Sequence, residues 1–228
     1  MPQIERVLPF TGRAPGGLLV VVEGVSRSGK STLIRKLCTA GPRPARLVKW
    51  NAHPDLAPVT AELTRRRELS GLTSTLLFVA DLRLTFESVA LPALRAGEVV
   101  IYDRYMFTAW VRGILRGVPE GLLRELVAAF PRPDLTLFLD TDLETTSDRF
   151  LRTRHGRGWF GVGRDLYDQR FEVGPDGPAR GEDIELAAFR WWSTEQARLY
   201  RRLAGPEGFV VRDHVDAFLA ATSAPARP

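Results

Sequence analysis

The chain has 228 residues, 44% of them hydrophobic, and a single cysteine, Cys38. That length carries one sizeable core, so the expected organisation is one α/β domain over residues 1–222 with a flexible tail at 223–228. One cysteine excludes an internal disulfide framework and all-cysteine metal sites, and reads as a small core residue on a helix. The longest apolar runs, Leu18–Val22 and Leu76–Ala80, are too short to cross a bilayer. Polar Gln3, Glu5 and Arg6 stand where a secretion leader needs a charged and then apolar stretch, which gives a reduced, cytoplasmic setting as the expectation. The net charge of +5 favours anionic ligands. Phosphate-rich small molecules and nucleic acid share that sign, but no long basic stripe with interleaved aromatics lies outside residues 154–183, which ranks nucleic acid lower.

Along the chain, Leu18–Glu23 is an apolar, β-branched strand opening into a glycine-rich turn. A helix is expected from Lys30 to Cys38, stopped by Gly41-Pro42-Arg43-Pro44. A second strand near Arg46–Trp50 leads into the turn Asn51-Ala52-His53-Pro54. Helical spacing follows in Leu56, Val59, Leu63 and Leu69, then in Leu72, Leu76, Phe78, Leu82 and Leu84, continuing to Leu94 with a break at Pro92. Glu98–Tyr102, Leu135–Leu139 and Phe209–Val211 complete a set of five strands separated by helices, the pattern of a parallel sheet covered on both faces. From about 154 to 183 the periodicity fails in a Gly-, Arg- and aromatic-rich stretch, too long for an ordinary connection and expected to be a lid.

Gly24-Val25-Ser26-Arg27-Ser28-Gly29-Lys30-Ser31 fits G-x-x-x-x-G-K-S without a mismatch, between an apolar strand and a helix start. Glycines there let backbone N–H groups turn inward around phosphate oxygens, and the helix N-terminus beginning at Lys30, Ser31 and Thr32 adds positive potential. Lys30 reaches the β- and γ-phosphates of a nucleoside triphosphate, and the Ser31 hydroxyl is a Mg²⁺ ligand. Kinases, GTPases, ATPases and passive nucleotide binders all use such a loop. The guanine-reading N-K-x-D signature is absent, and a kinase is the simplest use of the site.

Asp103-Arg104-Tyr105 stands at the C-terminal edge of the Glu98–Tyr102 strand, where ligands bind in open α/β sheets. An aspartate there holds Mg²⁺ through water or accepts a proton from an attacking hydroxyl. An arginine there clamps a phosphate.

At these residues the sequence resembles the thymidylate kinase family. The resemblance rests on Leu19–Val25 leading into the phosphate loop, on Leu91–Tyr105, on Pro133–Asp140 and on the helix from Phe189 to Arg201, and spans about residues 17 to 212. It implies a P-loop NTPase three-layer fold with a five-stranded parallel sheet, ATP and Mg²⁺, a lid over the phosphates and, by analogy, a homodimer. The family's catalytic arginine sits either in the phosphate loop, here Arg27, or in the lid, here Arg154 and Arg157, with Arg164 a further candidate. Arg149 corresponds to the arginine that stacks on adenine.

The departures fall on the acceptor side. Where the family has Arg-Glu-Pro-Gly-Gly the chain reads Lys49-Trp50-Asn51-Ala52-His53-Pro54. Ser26 replaces an aspartate that touches the acceptor sugar, Asp81-Leu82-Arg83 replaces an adjacent Asp-Arg, and Trp110-Val111-Arg112-Gly113 does not match Tyr-Gln-Gly cleanly. Four changes on one side of the site point to an acceptor other than dTMP, with a working dTMP kinase as the alternative and a silent nucleotide-binding protein as a further one. Trp50, Phe107, Trp110, Trp159 and Phe160 are candidates for an aromatic slot. Lys49, Arg83 and Arg112 are candidates for an acceptor phosphate. If the acceptor is an alcohol, Asp103, with Asp55 behind it, is the candidate base. The dispersed His53, His155 and His214 suggest no metal cluster.

Overall fold

The computed structural model describes residues 9–152, 161–171 and 184–223. The candidate residues Arg154, Arg157, His155, Trp159 and Phe160 lie outside these described residues.

Four strands, β1 (Leu18–Glu23), β2 (Ala45–Lys49), β3 (Val99–Asp103) and β4 (Leu135–Phe138), form a parallel sheet in the order β2-β3-β1-β4. Strand β1 lies inside the sheet and is buried throughout, which is why its sequence is a continuous apolar run rather than an alternation. Its alternate side chains go to opposite faces: Leu19 and Val21 join one core cluster with Val100 and Tyr102, while Leu18, Val20 and Val22 join another with Val99 and Ile101. Burying each such aliphatic side chain contributes about 1.5–3 kcal/mol. The register sets Val22 beside Asp103 and Lys49 beside Asp103, so the C-terminal ends of β1, β2 and β3 meet at one edge.

The expected fifth strand is not formed, which corrects the five-stranded sheet to four. Only Val210 of Phe209–Val211 pairs, donating to Thr136 O at 2.8 Å and accepting from Phe138 N–H at 2.9 Å. The turn ending at Gly208 and the helix beginning at His214 leave too few extended residues between them to build a ladder.

Helix α1 (Lys30–Ala40) ends before Gly41-Pro42, two residues later than expected, and Cys38 packs at the edge of the core. Helices α2 (Ala57–Arg65) and α3 (Gly71–Thr85) follow, and α3 runs through a π-helical turn, Phe86–Ala90, into α4 (Leu91–Arg95). The break expected at Pro92 takes that form: the proline has no N–H to donate, and Leu91 N–H reaches five residues back to Phe86 O. Then come α5 (Met106–Leu115), α6 (Glu120–Ala128), α7 (Leu143–Arg152), α8 (Arg164–Arg170), α9 (Ile184–Ala204) and α10 (His214–Ser223). Among the described residues no helix is long and apolar enough to cross a membrane.

Helix α8 falls within the stretch read as an irregular lid. It is tied down by the Arg116–Asp165 ion pair, with Arg116 Nε donating to Asp165 Oδ2 at 3.0 Å, and Arg116 also stacks on Trp192. Gly163 precedes it at φ +73°, where a Cβ would lie 2.6 Å from Trp192 Cγ. Gly163→Ala is expected to lower unfolding free energy by about 2 kcal/mol or more, through strained backbone and overpacking. Gly121→Ala, on the open face of α6, is expected to raise it by about 0.5–1 kcal/mol. Urea unfolding of the two variants beside the wild type checks both signs.

Candidate active site

The phosphate loop connects β1 to α1. Gly24 has φ +142°, and a Cβ there would come within 2.9 Å of Leu139 O and Ser28 Oγ. Gly29 caps α1 at φ +103°, and Arg27 adopts φ +65°, a conformation costly for a side-chain-bearing residue. Two bonds brace the loop from the β4–α7 connection and from α7: Thr141 Oγ1 donates to Ser28 O at 2.8 Å and Arg149 donates to Arg27 O at 3.0 Å. Lys30 is buried, its Nζ donating to Gly24 O at 3.0 Å, Val25 O at 2.6 Å and Ser28 Oγ at 3.3 Å. Burial, and then the nearby Arg104 guanidinium, push its ammonium well below the usual lysine range, against the pull of Asp103 and Glu23.

Asp103 and Arg104 face the loop across a cleft of about 340 Å³, whose walls include Ser26, Arg27, Lys30 and Ser31. Arg104 is buried at φ +75°, held by Arg104 N–H to Val22 O at 3.1 Å and by a side-chain bond to Thr108 Oγ1 at 3.3 Å. Phe150, Val162 and Phe189 line the cleft from α7, the turn before α8, and α9.

Beneath Arg104 lies a carboxylate that sequence reading passed over. Glu23 Oε1 accepts Tyr105 N–H at 2.9 Å and Thr108 N–H at 3.2 Å, and its Oε2 accepts Thr108 Oγ1 at 2.7 Å and the Tyr200 hydroxyl at 2.9 Å. Burial raises its carboxyl above the ordinary range, while Arg104 and these hydrogen bonds pull it down. Glu23 thus fixes the first turn of α5 and supplies the countercharge to Arg104. The signal was available: one acid closes an otherwise apolar strand at the threshold of the phosphate loop.

The acceptor-side candidates separate. Trp50 packs on Phe78 at 4.8 Å between centroids, with the Arg112 guanidinium 4.9 Å and that of Arg104 5.9 Å from its ring. Asn51 takes φ +49°, and Asp81 fixes the following turn by accepting Ala52 N–H at 3.2 Å and His53 N–H at 2.8 Å. Lys49 is exposed at the end of β2. Arg83 is not brought to the cleft: it is exposed, paired with Glu87 at 2.6 Å and donating to Ala129 O at 2.8 Å. With Asp81 turned inward, two helical steps of about 100° carry Arg83 to the other side of α3. Tyr105 is fully buried, its hydroxyl donating to Pro131 O at 3.1 Å, and Trp110 and Phe107 belong to the core. The five-ring slot is therefore reduced to Trp50 among the described residues. Asp55 is exposed beside His53. Arg164 is paired with Asp168 along α8.

On the far side of the loop, Ser28, Gly29, Thr32, Arg149 and His214 line a second cleft of about 490 Å³. Ser31 and Asp103 both line the first cleft, with a hydroxyl and a carboxylate, and the described residues contain no group of three or more His, Cys, Asp or Glu able to hold a metal. Two hard oxygen ligands fit Mg²⁺, which keeps several waters and shares the rest of its shell with phosphates.

A glycine-framed cradle at a helix N-terminus, fed by an inner strand of a parallel sheet in the order β2-β3-β1-β4, defines a P-loop nucleotide-binding protein. The chain belongs to the thymidylate kinase family, whose model, "Thymidylate kinase", matches residues 22–158. It is 29% identical over 140 residues to "Probable thymidylate kinase 2" of Saccharolobus solfataricus, covering 60% of this chain and 66% of that protein. It is 34% identical over 129 residues to "Thymidylate kinase" of Xanthomonas oryzae pv. oryzae, covering 55% of this chain and 57% of that protein. With "Thymidylate kinase" of Xanthomonas campestris pv. campestris the identity is 35% over the same length and coverage. The chain thus spans about three fifths of the length of the curated relatives it matches.

Proposed function

We propose that this chain is an ATP- and Mg²⁺-dependent small-molecule kinase that transfers the γ-phosphoryl group of ATP to a nucleotide or nucleoside-like acceptor other than dTMP. The observation that carries it is the gathering of Lys30, Ser31, Asp103 and Arg104 around one cleft, next to acceptor-side residues of a different kind. Lys30 and the loop N–H groups hold the β- and γ-phosphates. Arg104, oriented by Thr108 and Glu23, neutralises charge on the transferring group together with Arg27 or with Arg154 and Arg157. Ser31 and Asp103 would hold Mg²⁺, which when bound neutralises charge on the phosphate oxygens. Arg149, beside Gly29 at the second cleft, would lie against the donor base.

The second reading, a genuine dTMP kinase, is favoured by the names of the relatives. An ADP-release assay with ATP and Mg²⁺ across nucleoside monophosphates and nucleosides tests both. Selective turnover of another acceptor is expected. Robust selectivity for dTMP would transfer the assignment to the second reading. Tight ATP binding with no turnover of any acceptor would leave a silent nucleotide-binding protein.

A further inference from the structure

The first cleft has two unlike sides. On one, Lys30, Ser31, Asp103 and Arg104 supply cations, a hydroxyl and a carboxylate. The described residues lining the other, from α7, the turn before α8, and α9, are Phe150, Gly161, Val162 and Phe189, and none has a side chain that can hydrogen-bond. The Phe150 and Phe189 rings stack with their centroids 4.1 Å apart, and Val162 packs with them in a small apolar cluster separate from the main core. A bound water needs roughly two to four polar partners, so a water against this surface is short of them. Phosphate recognition alone gains nothing from such a surface. Removing water does two things for phosphoryl transfer: it strengthens the surrounding electrostatic contacts and it excludes a competing nucleophile.

The surface is fixed from behind. Gly163 follows Val162 at φ +73° and lies against Trp192, where a Cβ would come within 2.6 Å of Cγ. In the first turn of α8, Asp165 accepts Arg116 Nε at 3.0 Å and a second guanidinium N–H at 3.2 Å. The two side chains are 10% and 2% exposed, and the Arg116 guanidinium stands 4.5 Å from the centre of the Trp192 ring. A two-bonded pair of this kind sets direction as well as distance. Phe189 and Trp192 both belong to α9, so one helix carries an aromatic face of the cleft and the seat of the turn that presents Val162.

We infer that Val162, backed by Phe150 and Phe189, keeps water from the transferring γ-phosphoryl group, and that the Arg116–Asp165 pair positions it. This rests on the kinase reading above. In transfer, an acceptor oxygen forms the new bond to the γ-phosphorus, the bond from that phosphorus to the ADP oxygen breaks, and ADP leaves with the electron pair. Water can make the same attack, giving inorganic phosphate and releasing a proton to solvent. Val162 acts on the competition between the two nucleophiles.

The test is the ratio of the two products. The protein is incubated with Mg²⁺, ATP carrying ³²P in its γ-phosphoryl group and a mixture of nucleosides and nucleoside monophosphates, and labelled inorganic phosphate is separated from labelled acceptor. Both products come from the same folded molecules, so a loss of folded protein lowers both and leaves their ratio where it was. In wild type, inorganic phosphate is expected to be below about a tenth of the labelled product. Val162→Thr keeps the shape of the side chain and adds one hydroxyl that can hold a water, and is expected to raise the ratio of inorganic phosphate to labelled acceptor about fivefold. Asp165→Asn keeps the size and breaks the two-bonded pairing, and is expected to raise it about three- to tenfold. Inorganic phosphate as the main wild-type product, or an unmoved ratio in Val162→Thr, would overturn the water-excluding role. An unmoved ratio in a folded Asp165→Asn protein would overturn the positioning role of the pair. The wild-type and Val162→Thr ratios decide the first point even where Asp165→Asn fails to fold. Label passed to neither acceptor nor water would remove the kinase reading and this inference with it, whereas labelled acceptor with an unmoved ratio removes the inference alone.

Discussion

Lys30→Met is expected to lower kcat by about 1000-fold or more while the protein melts no lower than wild type. The activity loss follows from removing a cation directed at the transferring group's negative charge, in a site where such contacts are worth far more than in water. The stability expectation follows from burial. The folded pKa of Lys30 is depressed, so folding disfavours its charged form, and the unfolded chain holds more protons between the folded and unfolded values. Wild-type stability therefore gains from this residue as pH rises through that window. Methionine removes the titration and keeps most of the packing, and it relieves the interior of an ammonium whose charged form folding disfavours. Steady-state kinetics and a thermal melt on one preparation check both halves. Preserved turnover would sink the role of Lys30, and lost turnover with a collapsed fold would leave the stability argument wrong.

Glu23→Ala is expected to cost about 3–5 kcal/mol of unfolding free energy, because it strands two N–H groups, two hydroxyls and the Arg104 charge in the interior. Glu23→Gln should separate geometry from charge. Its carbonyl can accept from Tyr105 and Thr108 N–H, its amide can donate to hydroxyls that rotate to receive it, and only the countercharge to Arg104 is lost. The glutamine variant should therefore stay folded while kcat falls about 10- to 100-fold. Burial raises the folded pKa of Glu23, so its contribution to stability is fully present below the ordinary value of 4.5 and is lost as pH rises through the higher folded value. The stability difference between the two proteins should consequently shift towards glutamine between about pH 4.5 and pH 7.5. Urea unfolding at the two pH values reads that sign. A shift in the opposite direction would mean that Arg104 and the hydrogen bonds outweigh desolvation.

The elements carrying the donor half were legible because each announces itself locally. An apolar strand, a glycine turn and a helix start leave little freedom for Gly24 to Ser31, and the short buried strand ending in Asp103-Arg104 fixes the opposing wall. What escaped depends on relations that no short window contains. The role of Glu23 requires Thr108 and Tyr200, from α5 and α9, to meet beneath β1. Arg83 was misplaced because the orientation of α3 is set by Asp81 binding the turn at Ala52 and His53, a tertiary contact. Once Asp81 is known to point inward, the outward direction of Arg83 follows from helical geometry alone. Helix α8 was missed because seven residues give too short a periodic signal, although Gly163 followed by the Arg164–Asp168 pair marks its start. The fifth strand failed on length: Phe209–Val211 has the composition of a strand but room for one bridge.

The measurement that bears most directly on the central claim follows the phosphoryl group itself. The protein is incubated with Mg²⁺, ATP labelled with ¹⁸O in its γ-phosphoryl group and a mixture of nucleoside monophosphates and nucleosides, and the products are resolved by mass spectrometry. The predicted result is ADP together with a single new phosphorylated acceptor carrying the label, with little label in inorganic phosphate and none transferred by the Lys30→Met protein. Label confined to inorganic phosphate, or ATP returned intact in the presence of every acceptor, would contradict it.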